Sequence, residues 1–170
     1  MSGYPKTPQV HVRVAEHRKF NVEPRGEFRM EKSGNVTRYT PLAADARFLA
    51  KNVPIGIEFH WSQNAVFSLP GVVEVAEFGD DAKNLDNFVD VETYLACVVS
   101  SEMNPAAPLE FLKAHAVISR SWLMGKINGA HPSASDEKIH TSDTVIDWVD
   151  TDDHHGFDVC ADDHCQRYSQ

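Results

Sequence analysis

No stretch of this 170-residue chain approaches the roughly twenty consecutive apolar residues that a membrane-crossing helix needs, which excludes a helical membrane span. The opening residues Met1-Ser2-Gly3-Tyr4-Pro5-Lys6 lack the charged and apolar regions of a secretory signal. Internal repeats and low-complexity tracts are absent. Positive charge is short: 16 Lys and Arg stand against 25 acids, a net charge of −9. That balance argues against nucleic-acid binding by the whole chain, with the basic stretch 1–40 (eight Lys/Arg, four acids) as a weak exception. From Ile139 to Gln166 there are eight Asp and no Lys or Arg, a pattern that reads as a solvated face or an attractor of cations. No Ser-His-Asp arrangement is legible, and the Asp residues do not follow the EF-hand order. Cysteine is scarce, with a close pair, Cys160 and Cys165, and a distant Cys97.

The length suits one domain, or a small domain plus part of another, and 42% apolar and 9% aromatic residues are enough for a packed core. Val10-His11-Val12-Arg13-Val14 alternates as a strand does. So do Ile55 to Trp61 and Val72 to Val75, with a turn signal at Lys32-Ser33-Gly34-Asn35. The pattern then changes period. Val91, Tyr94, Leu95 and Val98 fall on one helical stripe, and Leu109, Leu112, Ala116, Ser119 and Leu123 on another. Pro108 suits the first turn of the second helix, and Gly129 suits its stop. The polar stretch Ala130 to Asp143, with Pro132, reads as a loop. Strands first and helices after predict an α+β fold, with a mainly β region over 1–88 and a helix-loop-helix segment with a C-terminal loop over 89–170.

Between the helices lies one carboxylate, Glu102, with the turn Asn104-Pro105-Ala106-Ala107 behind it. A carboxyl group held against apolar packing keeps its proton closer to neutral pH, and Met103 is an apolar neighbour. By spacing alone, a lone Glu near a helix end is usually a cap or a solvated charge, and Glu102 reads as one. Lys113, His115 and Arg120 on the second helix are candidate ligand-binding groups, against the alternative of a solvated face or ion pairs. Ser101 reads as a cap, and Cys97, on the apolar stripe, as a core thiol.

Cys160-Ala161-Asp162-Asp163-His164-Cys165 has the C-x4-C spacing of structural zinc sites, and His164, with His154 or His155, would complete two sulfurs and two nitrogens. A small disulfide or two thiols in a turn are the alternatives.

The string V-E-x-Y-L-x-x-V-V-x-S-E-M from Val91 to Met103, followed by P-x-E-x-L-K-A-x-A-V-x-x-R-x-x-L to Leu123, resembles the core of the SpoIID/LytB family of cell-wall proteins. The likeness resumes at Phe157-Asp158-Val159-Cys160 and His164-Cys165-Gln166-x-Tyr168. The resemblance implies a lytic transglycosylase that cuts the glycan of peptidoglycan, or alternatively a wall-binding module that stimulates a cell-wall amidase. It implies a location in the cell envelope or outside the cell. It places the catalytic acid on Glu102 and a structural zinc on Cys160, His164 and Cys165. His154, six residues before Cys160 as the family's upstream His is, ranks ahead of His155 as the fourth ligand. The family pattern has Gln where this chain has His115. In the family further strands follow the H-C-Q-x-Y motif, whereas here Gln170 comes two residues after Tyr168, so the resemblance also implies a chain shortened at that end.

Overall fold

The computed structural model describes residues 7–57, 61–79, 81–128, 139–140, 145–146, 154–161 and 165–168. Among these, strands come first and two helices follow, as an α+β fold requires. Six strands form one sheet: β1 (Gln9–Arg18), β3 (Phe28–Ser33), β4 (Val36–Pro41), β7 (Val72–Phe78), β8 (Ala82–Asp90) and β11 (Val159–Cys160), in the order β11-β1-β8-β7-β4-β3. All its pairings are antiparallel except β1 with β11, which is parallel. A second sheet joins β2 (Asn21–Arg25), β5 (Arg47–Ile57) and β6 (Trp61–Leu69).

The alternation at Val10, Val12 and Val14 puts all three side chains into the core, and Val73 and Val75 in β7 do the same. The Lys32–Asn35 signal is the β3–β4 turn, with Gly34 at φ 60. The alternation from Ile55 to Trp61 is not one strand. It is the end of β5 and the start of β6, with Ile57 paired to Trp61 and residues 58–60 outside the described ones. Glu58-Phe59-His60 carries none of the usual turn residues, so the sequence does not announce this hairpin. Within 130–143, Ile139–His140 form a short strand, β9, paired with β10 (Val145–Ile146); two residues are too few to leave an alternating pattern. The rest of that stretch, and Gly129, lie outside the described residues.

Helix α1 (Val91–Glu102) begins at Asp90, whose carboxylate accepts the Thr93 N–H at 3.0 Å and the Thr93 hydroxyl at 2.6 Å. Its stripe Val91, Tyr94, Leu95, Val98 is buried, joined by Cys97. Helix α2 (Leu109–Ile127) is packed more lightly: Ser119 and Leu123 are buried, Leu112 and Ala116 half-buried. Leu109 departs from the expected stripe. It sits in the first turn, beside the interhelical loop, and is 63% exposed. One core runs through both sheets, α1, α2 and the C-terminal segment, from Val10 and Phe48 to Tyr94, Leu123, Val159 and Tyr168.

Candidate functional site

Tyr94, Val98 and Glu102 are four residues apart, so they form one row along α1. The first two are buried, and Glu102 continues the row one turn past the edge of the core. It is the last residue of the helix rather than a member of the following loop. Met103 still donates its N–H to Val99 O at 3.0 Å, but is itself extended, and Pro105 disfavours helical backbone at Asn104. The acid is therefore mounted on a rigid element.

Both its oxygens are held. Oε2 lies 2.8 Å from His115 Nε2 on α2, and Oε1 accepts the main-chain N–H of Arg167 at 2.9 Å. The side chains of Glu102 and His115 are 25% and 15% exposed, so the pair sits at a surface with one side open. Arg167 is placed by its neighbour. Tyr168 is buried, stacks on Tyr94 at 5.3 Å between ring centroids, and donates its hydroxyl to Asn87 Oδ1 at 2.5 Å. Asn87, on β8 and fully buried, uses its amide to donate to Pro70 O at 2.7 Å and Val72 O at 3.0 Å. The sheet thus fixes the C-terminal segment, and that segment fixes the carboxylate. Burial pushes the Tyr94 hydroxyl well above its ordinary range, with the nearby Cys165 and Glu102 adding to the effect. Burial likewise pushes the Cys97 thiol up to about 11, which makes it an inert core thiol at neutral pH.

Lys113 and Arg120 are engaged elsewhere. Lys113 Nζ donates to Glu110 at 2.9 Å on the exposed face of α2. Arg120 makes a two-pronged pair with Glu92 of α1, which lowers the Glu92 pKa and raises that of Arg120. His115 alone of the three reaches Glu102 among the described residues. One turn to either side of His115 on α2, at i−4 and i+3, stand Phe111 and Ile118, which are 52% and 68% exposed.

The C-terminal cluster is fastened to the open side of β1. Val12 and Arg13 pair with Val159 and Cys160; Asp158 N–H donates to His11 O, and Ala161 N–H to Arg13 O, each at 3.0 Å. This arrangement brings one nitrogen of His154 and the sulfurs of Cys160 and Cys165 within 4.8 Å of one another. Cys160 and Cys165 are not joined as a disulfide. His154 Nε2 and Cys165 Sγ are 3.5 Å apart. Metal–sulfur and metal–nitrogen bonds of about 2.3 and 2.0 Å in a tetrahedron put S and N about 3.5 Å apart, so His154 and Cys165 have the spacing of two ligands of a zinc-sized ion, with Cys160 within 4.8 Å of both. The hydrogen bond from Cys160 and then burial push the Cys165 thiol far up, so a bound cation is what would hold both as thiolates. His154 rather than His155 supplies the nitrogen of this group. His164 lies outside the described residues.

Arg167 and Tyr168 were not singled out by sequence as site residues, nor were Phe111 and Ile118. A main-chain donor leaves no residue-type signal. Tyr168 stood within the C-Q-x-Y motif, but its burial and its partner, 81 residues away, did not.

A family model described as Stage II sporulation protein, SpoIID, matches residues 80–170, more than half of the chain. The match takes in both helices, Glu102, the His/Cys/Cys group and Tyr168. Neither the curated proteins nor the solved structures contain a significant match.

Proposed function

The chain belongs to the SpoIID family of stage II sporulation proteins, and from that premise we propose that it acts on the cell wall by cutting peptidoglycan glycan strands as a lytic transglycosylase. The observation that carries this reading is the placement of Glu102. It is a single carboxyl group on a rigid helix end, half-shielded, with both oxygens held and one side open to the surface.

One carboxyl group suffices when the nucleophile belongs to the substrate. Glu102 protonates the bridging oxygen, and the bond from the anomeric carbon to that oxygen breaks. The carboxylate then takes the proton of the muramyl C6 hydroxyl as its oxygen closes on the anomeric carbon. The product is a 1,6-anhydro sugar, and no water is consumed. One group acts first as acid and then as base, which most glycosidases divide between two carboxylates. Phe111 and Ile118, exposed one turn to either side of His115, offer apolar surface on which the C–H face of a sugar ring can rest. Arg120 and Lys113, on the same helix, supply cationic groups toward a muramyl carboxylate once they leave Glu92 and Glu110.

Zinc is the metal we assign to His154, Cys160 and Cys165, with His164 as the fourth ligand. Its role is structural, because four protein ligands leave no position for water. It would tie the C-terminal segment to β1 next to the residues that hold Glu102. The proposed substrate would have the protein act in the cell envelope. Among the described residues no helix is long and apolar enough to cross a membrane.

The test is digestion of purified glycan strands lacking stem peptides by the wild type and by Glu102→Gln. The reading expects soluble fragments from the wild type and none from the variant. A variant that cleaves at a comparable rate overturns the assignment of Glu102. No cleavage by either, with stimulation of a wall amidase by both, replaces the enzyme by an amidase-binding module.

A further inference from the structure

Resting on that reading of Glu102, we propose that His115 is its proton-sharing partner, so that the acid of this site is a carboxyl–imidazole pair holding one proton rather than a lone carboxyl group.

The geometry comes first. Glu102 Oε2 and His115 Nε2 are 2.8 Å apart, a distance at which one hydrogen bridges both. The other carboxylate oxygen, Oε1, already accepts the Arg167 N–H, so a proton on Glu102 is directed to Oε2, toward the imidazole. His115 Nδ1 is buried and has no partner among the described residues. In a Ser-His-Asp triad a third group fixes the imidazole tautomer. Here no described group does so, and the proton can reside on Nε2 or on Oε2.

The surrounding charges leave the pair to itself. On α2, Lys113 is committed to Glu110 and Arg120 to Glu92. On α1, the Tyr94 hydroxyl stays protonated across the neutral range. From the C-terminal segment, Arg167 presents its N–H to Glu102, and Cys165 stands near Tyr94. Neither α1 nor α2 brings a second carboxylate to hydrogen-bond distance of the pair among the described residues. Two groups this close act on one hydrogen together.

The consequence is catalytic. A lone carboxyl group surrenders its proton above about pH 4. A carboxyl group bridged to an imidazole has a second seat for its proton, 2.8 Å away. During the cut, the one hydrogen shared with Nε2 is carried on Oε2 and passes from there to the bridging oxygen, which leaves the pair without a proton. The bond from the anomeric carbon breaks with its electron pair on that oxygen. The C6 oxygen forms the new bond to the anomeric carbon, and its proton returns to the pair. The pair begins and ends with one proton.

The experiment has two arms on the whole protein. In the first, the His115 imidazole is titrated by NMR in the wild type and in Glu102→Gln. The pair predicts that the wild-type midpoint lies at least about half a pH unit above the variant's, because a carboxylate favours imidazolium. Equal midpoints overturn the proposal. In the second, kcat/KM for peptide-free glycan strands is followed against pH for the wild type and for His115→Gln, which keeps a hydrogen-bonding side chain but cannot titrate. The alkaline fall of the wild type is expected in the imidazole range, and that of the variant at least about one unit lower. Superimposable profiles overturn the proposal. If no protein cleaves glycan, the transglycosylase reading fails, while the NMR arm still decides whether the two groups share a proton.

Discussion

The hydroxyl of Tyr168 donates to the amide oxygen of Asn87 at 2.5 Å across 81 residues of sequence, inside the core. This bond connects the segment that holds Glu102 to the central strand β8, and it can be tested without touching the site. Tyr168→Phe keeps the ring stack on Tyr94 but leaves the buried Asn87 oxygen without its donor, at a cost of about 1–3 kcal/mol. Tyr168→Ala removes the stack as well and is expected to cost about 3–5 kcal/mol. Urea unfolding followed by circular dichroism measures both; a Phe variant as stable as the wild type contradicts the role given to the hydroxyl.

Helix α1 depends on its N-cap, and the dependence has a sign in pH. Burial alone would raise the Asp90 pKa, but the hydrogen bonds from the Thr93 hydroxyl and from main-chain N–H groups prevail, and the net shift is downward. A group lowered on folding stabilises above its unfolded value, about 3.9, and loses that contribution as pH falls through its folded value. Asp90→Ala is therefore expected to cost about 1 kcal/mol at pH 7, and the gap to the wild type should narrow below about pH 4. Unfolding curves at a series of pH values check this; a gap that widens in acid contradicts it.

The metal assignment predicts about one zinc per chain in protein purified under reducing conditions. Chelation, or Cys160→Ser, should lower the melting temperature and release the segment carrying Arg167, whose amide would then exchange faster with solvent. Elemental analysis without zinc, or a melting temperature indifferent to a strong chelator, contradicts it. If the metal is structural, added zinc restores the melting temperature of the chelated protein.

Phe111 is half exposed, so its loss should be nearly neutral for folding and felt in binding instead. Phe111→Ala is expected to leave the melting temperature within about a degree or two and to raise KM for glycan strands about three- to tenfold, the effect of losing about 1 kcal/mol of ring contact. Steady-state kinetics with short and long strands measure this. An unchanged KM removes Phe111 from the proposed sugar contact.

Much of the frame was legible because it rests on local periodicity. The alternation of Val10, Val12 and Val14 and the stripe Val91, Tyr94, Leu95, Val98 each report a buried face directly. The β5–β6 hairpin was not, because the alternation runs on through Glu58-Phe59-His60, where no turn residue interrupts it. The site was half legible. Glu102 and the Cys/His spacing could be read, since chemistry and family likeness both depend on residue type. The Arg167 N–H, the Tyr168–Asn87 bond and the 2.8 Å approach of His115 depend on which distant segments the fold brings together. Leu109 shows the converse: its position in the helical period was right, but the first turn of α2 has no core beside it.

The measurement that tests the central claim most directly is the mass of the sugar ends released from peptide-free glycan strands by this protein. The account predicts muramyl ends lighter by one water than reducing ends, formed by the wild type and absent with Glu102→Gln. Reducing ends of full mass, which require water as the nucleophile, would contradict it.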